Sequence, residues 1–312
     1  MARTRTGHII NGWLVLDKPA GMTSAAAVYN VKRLFNARKV GHAGTLDPLA
    51  TGILPLALGE ATKTISFAMQ SKKAYRFTIH WGVETSTDDS EGKIIQRSDF
   101  FPSYQNIALR LPQFIGAIMQ IPPQFSAIKV AGDRAYNLAR VGKKPHLMAR
   151  EIFIEQLQIV EIPNNQEAVF EIVCGKGTYI RAIARDLGRS LGCFGHVKSL
   201  RRIRVGPFVE EDAWTLDDLE CSAKNYKDSV NISKLSKSIM LPVETILKGL
   251  PRFELPSILA ERIARGQCVV VSNCNNQTLN GRAYATSKGK LLAIVDFTNG
   301  ELRPKRVFNS LL

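Results

Sequence analysis

The chain is poor in most of the features that assign a protein quickly. Its five cysteines (Cys174, Cys193, Cys221, Cys268 and Cys274) form no Cys-x-x-Cys pair. That spacing argues against a zinc ribbon or a disulfide framework, and the odd count suits a reducing compartment. The five histidines (His8, His42, His80, His146 and His196) include no His-Glu-x-x-His, and no Cys/His cluster has metal-ligand spacing. There is no Gly-x-Gly-x-x-Gly dinucleotide loop and no Gly-x-Ser-x-Gly, and Gly175-Lys176-Gly177-Thr178 is too short to be a phosphate-cradling P-loop. No apolar run approaches the roughly 18 residues needed to span a bilayer. The basic start, residues 1–8, is followed by no apolar stretch of the kind a secretion signal carries. A cytoplasmic location without membrane contact is therefore expected.

Acidic residues are also scarce. Lys plus Arg number 42 against 27 Asp plus Glu in 312 residues, a net charge of +15 with a pI near 9.7. With 45% hydrophobic and 22% charged residues, the chain is an ordinary globular protein able to bury a core. Its charge favours a polyanionic partner, nucleic acid before membrane. The excess is concentrated. From Cys174 to Gly206 there are eight basic residues against Asp186, that is 8 − 1 = +7 in 33 positions. Arg181, Arg185 and Arg189 recur every four residues along one flank of a helix expected to start near Thr178. Such a flank suits phosphates or a carboxylate clamp, or is simply a solvated basic face.

Periodicity supplies the rest of the architecture. Residues 73–81 alternate, with Tyr75, Phe77, Ile79 and Trp81 on one side and Arg76, Thr78 and His80 on the other, a half-buried strand. Thr23 or Ser24 can cap a helix over residues 25–35. Residues 83–92 are polar and acidic and read as a surface connection. Residues 152–162 and 168–174 read as paired strands. Ile180, Ile183, Ala184, Leu187 and Leu191 form one apolar stripe ended by Gly192. Residues 224–237 are polar enough for a linker, and beyond Pro251 a short helix and several short strands form a small β-rich module.

One stretch stands apart, Gly41-His42-Ala43-Gly44-Thr45-Leu46-Asp47-Pro48-Leu49-Ala50-Thr51-Gly52-Ile53-Leu54-Pro55. Three glycines and two prolines argue for a loop rather than a helix or a central strand. Leu46, Leu49, Ile53 and Leu54 ask for burial, so the loop is ordered. It holds one carboxylate, Asp47. Asp-Pro is a common turn opener, and a carboxylate in an ordered half-apolar loop also suits a catalytic acid or nucleophile.

Residues 41–52, GHAGTLDPLATG, resemble the catalytic-loop motif of the TruB family of tRNA pseudouridine-55 synthases. Lys18-Pro19-Ala20-Gly21-Met22-Thr23-Ser24, Lys73-Ala74-Tyr75-Arg76-Phe77, Gly177-Thr178-Tyr179-Ile180-Arg181-Ala182 and residues 200–208 match that family in the same order. The resemblance implies an α+β fold: a mixed, largely antiparallel sheet flanked by helices, with a small β-barrel-like PUA domain at the C-terminus. It implies a catalytic domain over residues 1–245, an insertion at about 121–150 that closes on the T-arm, and an RNA-binding module over 246–312. It implies isomerisation of a T-loop uridine, without metal or organic cofactor. Asp47 would be the nucleophile, attacking the base or the sugar. Tyr75 would pack on the base and serve the last proton transfer, and Arg181 would pair with Asp47. His42 would hold the flipped nucleotides, and Lys18, Tyr179 and Leu200 would shape the pocket. The expected partner is tRNA, through its T-arm and acceptor stem, and a monomer is expected. Two alternatives are a guide-RNA-dependent synthase and a tRNA-binding chaperone without chemistry.

Overall fold

The computed structural model describes residues 7–130, 132–143, 145–224, 238–271 and 280–308. The basic start, Ala131, Lys144, most of the expected linker and Cys274 lie outside the described residues. The first half of the chain runs β1 (Gly12–Lys18), α1 (Ser24–Leu34), β2 (Val40–His42), β3 (Thr51–Leu58), α2 (Ile65–Gln70), β4 (Lys73–Trp81), β5 (Val83–Thr85), β6 (Ile94–Arg97), α3 (Tyr104–Arg110) and β7 (Gly116–Gln120). It continues through β8 (Lys129–Val130), β9 (Asp133–Arg134), α4 (Ala135–Arg140), β10 (Arg150–Asn164), β11 (Glu167–Cys174), α5 (Ile180–Leu191), β12 (Gly195–Val205), β13 (Phe208–Val209) and α6 (Leu216–Lys224).

The main sheet has the order β1-β3-β12-β4-β11-β10-β7, with β2 and β13 attached at its side. Along that order every pairing is antiparallel except β3 with β12. The mixed, largely antiparallel sheet that the resemblance implies is therefore the observed one. Its packing follows the alternation of β4. Phe77, Ile79 and Trp81 are buried; Phe77 stacks on Phe170 with centroids 5.4 Å apart, and Trp81 meets that ring edge-on at 6.2 Å. Helix α5 lays Ile180, Ile183, Ala184 and Leu187 into the same core, each larger side chain contributing about 1.5–3 kcal/mol. Gly192, at φ 73°, caps it in the left-handed conformation.

Beyond Pro251 lie β14 (Arg252–Glu254), a helix (Ser257–Ala264), β15 (Val269–Val270), β16 (Gly281–Ser287), β17 (Lys290–Thr298) and β18 (Glu301–Val307). The five strands form a second sheet in the order β14-β16-β17-β18-β15 with its own core. A shared apolar cluster joins the two sheets: Trp13, Val15 and Phe208 from one side meet Tyr284, Ile294 and Phe308 from the other. Among the described residues no helix is long and apolar enough to cross a membrane.

Two expectations need correction. The stretch around Asp47 is not all loop, because Thr51 onward is β3, a strand between β1 and β12 that contains Pro55. Pro55 pairs with Val15 of β1, and its carbonyl accepts from Ala43 N at 2.9 Å. The side on which it lacks an N–H is the β2 side, where the ladder ends, so only a single terminal bond is forgone. The second correction concerns residues 83–92, where Glu84, Thr85, Asp88 and Asp89 are all buried. That segment is an acidic brace inside the protein rather than a surface connection.

Candidate active site

Asp47 occupies the connection between β2 and β3. Three local devices hold it. Ala50 N donates to Asp47 O at 3.1 Å, closing a tight turn, so the turn reading of Asp-Pro is correct as local geometry. Ser24 brackets the preceding residue: its hydroxyl donates to Leu46 O at 3.1 Å and accepts from Leu46 N at 2.9 Å. Thr23 is thereby the helix cap of α1, accepting from Ala26 N at 3.1 Å, and Ser24 is left for the loop. Gly52 then lets β3 approach β12. At its φ of +95° a Cβ would stand 2.3 Å from the Arg202 carbonyl oxygen, so a side chain cannot be accommodated there.

Arg181, the second residue of α5, points its guanidinium at this loop. Its Nε lies 2.9 Å from Asp47 Oδ2. Its Nη1 donates to Thr87 O at 3.0 Å and lies 3.6 Å from Asp89 Oδ2, and its Nη2 donates to Phe125 O at 3.0 Å. The Arg181 side chain is 6% exposed and that of Asp47 36%. A buried, fully used cation therefore fixes a carboxylate that still faces solvent, the arrangement a nucleophile needs. The expected Asp47–Arg181 pair is present.

The other arginines of that flank overturn the phosphate reading. Arg185 Nη1 donates to Asp88 Oδ2 at 3.1 Å, and its Nη2 donates to Ile121 O at 2.7 Å. Arg189 Nη2 donates to Glu84 Oε1 at 2.5 Å. The flank is matched, turn by turn, to the acidic segment 84–89: Arg181 and Arg185 are sealed inside the protein, and the half-exposed Arg189 is held by Glu84. Burial pushes the Asp88 carboxyl up to about 6, against the opposing pull of Arg185 and Arg181.

Four neighbouring strands each place one residue in a single row beside the loop. Lys18 of β1 pairs with Gly52 of β3, Gly52 with Arg202 of β12, and Arg202 with Tyr75 of β4. Lys18 is completely buried. Its Nζ donates to Pro19 O and Met22 O at 2.8 Å and to Pro48 O at 3.3 Å. The ammonium thus ties the turn after β1 to the residue following Asp47, and burial holds its pKa below the ordinary value. Tyr75 is half-buried and packs against the main core; burial raises its hydroxyl, and the Arg202 charge pulls the other way. Leu200, opposite Phe77 on β12, is buried.

His42 ends β2. Its Nδ1 is buried and makes no hydrogen bond, and burial followed by the Arg202 charge lowers its pKa. The ring is therefore neutral near pH 7. Tyr179 is the N-cap residue of α5, and the Gln120 amide grips its backbone on both sides, at 2.9 Å and 3.2 Å. Within the insertion, Lys129, Arg134, Lys143 and Arg150 are exposed. The residues that sequence reasoning missed are Arg202, Ser24 and Asp89. Arg202 and Ser24 lie inside matched motifs but were given no site role of their own, and Asp89 was read as surface; their contacts with Ile53, Leu46 and Arg181 come from elsewhere in the chain.

A carboxylate at the end of a mixed sheet, a buried guanidinium on it and an aromatic two strands from its loop make up the candidate site. The fold superimposes on the archaeal box H/ACA sRNP Nop10–Cbf5 complex with a TM-score of 0.73 at 25% identity, covering 96% of this chain and 86% of that one. A Cbf5–Nop10–Gar1 complex gives 0.75 at 26% identity, with coverage of 96% and 85%. Residues 32–180 match the TruB family pseudouridylate synthase N-terminal domain, and residues 181–248 match the tRNA pseudouridylate synthase B C-terminal domain. Among the curated relatives, tRNA pseudouridine synthase B of Bradyrhizobium diazoefficiens is 50% identical over 96% of this chain and 86% of its own length. The protein of the same name from Chelativorans sp. is 48% identical over 97% of each chain. The chain belongs to the TruB family of pseudouridylate synthases.

Proposed function

We propose that this protein is a tRNA pseudouridine synthase that isomerises the uridine at position 55, in the T-loop, without metal or organic cofactor. The observation that carries this reading is the Arg181–Asp47 contact of 2.9 Å on a half-exposed carboxylate, in a chain whose relatives at 48–50% identity are named for that activity. The target uridine must leave the stack, at a cost of a few kcal/mol. Stacking on Tyr75 offsets part of that, and His42 holds the neighbouring nucleotides. Asp47 attacks the base or the sugar, and the C1′–N1 bond breaks. The uracil turns, a C1′–C5 bond forms, and the bond to Asp47 is released, by displacement at C1′ or elimination from C6. The C5 proton then leaves by way of Tyr75, and N1 takes up a proton from water, so the product is an isomer. Lys18, Tyr179 and Leu200 shape the pocket.

In the same reading residues 1–245 form the catalytic domain, and residues 121–150 close over the T-arm through exposed cations such as Lys129 and Arg134. Residues 246–312 form a PUA-like module that meets the acceptor stem. The protein works in the cytoplasm as a monomer. The test is Asp47→Asn on an unmodified T-arm hairpin. Pseudouridine formation is expected to fall by on the order of 10⁴-fold or more, with hairpin binding retained. A variant that still converts the uridine rules out Asp47 as nucleophile. A wild-type protein that binds the bare hairpin but modifies uridine only with an added guide RNA establishes the guide-dependent alternative.

A further inference from the structure

Arg202 is 1% exposed, among the largest side chains sealed in the protein. Among the described residues no carboxylate lies within ion-pair distance of it. Its Nε donates to Ile53 O at 2.7 Å and its Nη2 to Gly44 O at 3.1 Å. These carbonyls stand three residues before and six after Asp47, so one guanidinium spans the whole catalytic loop. Arg202 also lies directly across the ladder from Tyr75, on the same face of the sheet.

We propose that Arg202 is a positioning residue that acts through Tyr75, aiming and electrostatically supporting its hydroxyl for the final proton transfer while it clamps the Asp47 loop. The inference rests on the isomerase reading above. In that last step C5 carries both the new C1′–C5 bond and its hydrogen. The C5–H bond breaks, its electron pair forms C5=C6, and the N1=C6 pair moves onto N1, which is protonated by water. The Tyr75 oxygen receives the C5 proton as its own proton passes to water, so no net proton is gained or lost. During that exchange the oxygen carries partial negative charge in a half-buried setting, which a cation fixed beside it stabilises. Burial raises the Tyr75 hydroxyl, and the Arg202 charge works against that rise. Lys18 cannot substitute, because its ammonium is committed to three carbonyls.

The experiment uses the full-length protein and a T-arm hairpin whose target uridine carries deuterium or hydrogen at C5. Wild type, Arg202→Gln, Arg202→Lys and Tyr75→Phe are compared in single turnover at saturating protein, with hairpin affinity and thermal unfolding measured alongside. Arg202→Gln is expected to bind within about threefold of wild type, to turn over about 100-fold more slowly, and to show a larger C5 deuterium effect, as Tyr75→Phe does. Arg202→Lys keeps the charge but cannot span both carbonyls, and is expected to regain about tenfold of the rate. A slow Arg202→Gln with no increase in the isotope effect overturns the proposal, because its loss then lies at bond breaking. Wild-type turnover by Arg202→Gln overturns it equally. If the Gln variant unfolds, the isotope effect of Arg202→Lys decides by the same criterion. A wild-type protein that leaves the uridine unchanged removes the isomerase reading itself, and this inference with it.

Discussion

Two groups of cations flank Asp47, all buried except the half-exposed Arg189, and they are compensated in different ways. Along α5, Arg181, Arg185 and Arg189 face Asp89, Asp88 and Glu84, and Arg181 takes Asp47 as well. Across the sheet, Lys18 and Arg202 face only carbonyl oxygens. The first group is close to neutral as a unit and braces the helix against the segment 84–89. The second keeps its charge in a poorly screened interior, where it acts on Tyr75, His42 and Lys18. The proposed reaction, which receives a polyanion and develops negative charge on oxygen, needs both: a neutral frame to fix the proposed nucleophile, and an uncompensated positive field beside it.

The largest effect is expected where an ion pair is broken inside the neutral group. Arg181→Ala leaves Asp89, whose side chain is 4% exposed, without its counter-charge and frees Asp47 from its anchor. Removing one partner of such a buried pair costs about 3–5 kcal/mol, read as a lowered unfolding midpoint. Turnover on the T-arm hairpin is expected to fall far more than affinity. An affinity loss with normal turnover would contradict the role of the Asp47 contact.

The same group carries a pH dependence of known sign. Asp88 has its pKa raised from 3.8 to about 6, chiefly by burial. Between those values the folded state holds a proton that the unfolded state has released, so stability falls as pH rises through that window. The shift corresponds to about 3 kcal/mol in all. In unfolding experiments from pH 4 to pH 7, Asp88→Asn is expected to flatten this component of the profile. A component that instead rises with pH and is lost in Asp88→Asn would show that Arg185 outweighs burial.

The two groups were unequally legible in the sequence. Strand β4 and the apolar stripe of α5 are local patterns, and they appear where periodicity puts them. Asp47 and Arg181 were visible because residues 41–52 and 177–182 match an ordered set of motifs. The partners of the flank were not. Arg181, Arg185 and Arg189 meet Thr87, Asp88 and Glu84 across 94, 97 and 105 residues of chain. An arginine every fourth residue looks the same in one dimension whether it faces solvent, phosphate or a buried acid. Residues 83–92 looked superficial for the matching reason, since their polarity is satisfied by cations from elsewhere. Arg202 was hidden twice, as one charge in a basic run and as a strand residue whose two acceptors lie about 150 positions away.

The smallest effect is expected in the carbonyl-bound group. Lys18→Met keeps the length of the side chain and removes the ammonium. Of its three acceptors, Pro48 O retains a bond from Gly21 N at 2.8 Å, so Pro19 O and Met22 O are the ones left open. The loss is two hydrogen bonds to carbonyls beside a surface turn, set against relief from burying a cation that burial already disfavours. Unfolding is expected to show a cost of about 1–3 kcal/mol, below that of Arg181→Ala. A loss equal to that of Arg181→Ala would break the distinction between the two groups. It would mean that a cation held by carbonyls organises the Asp47 loop as strongly as one held by acids.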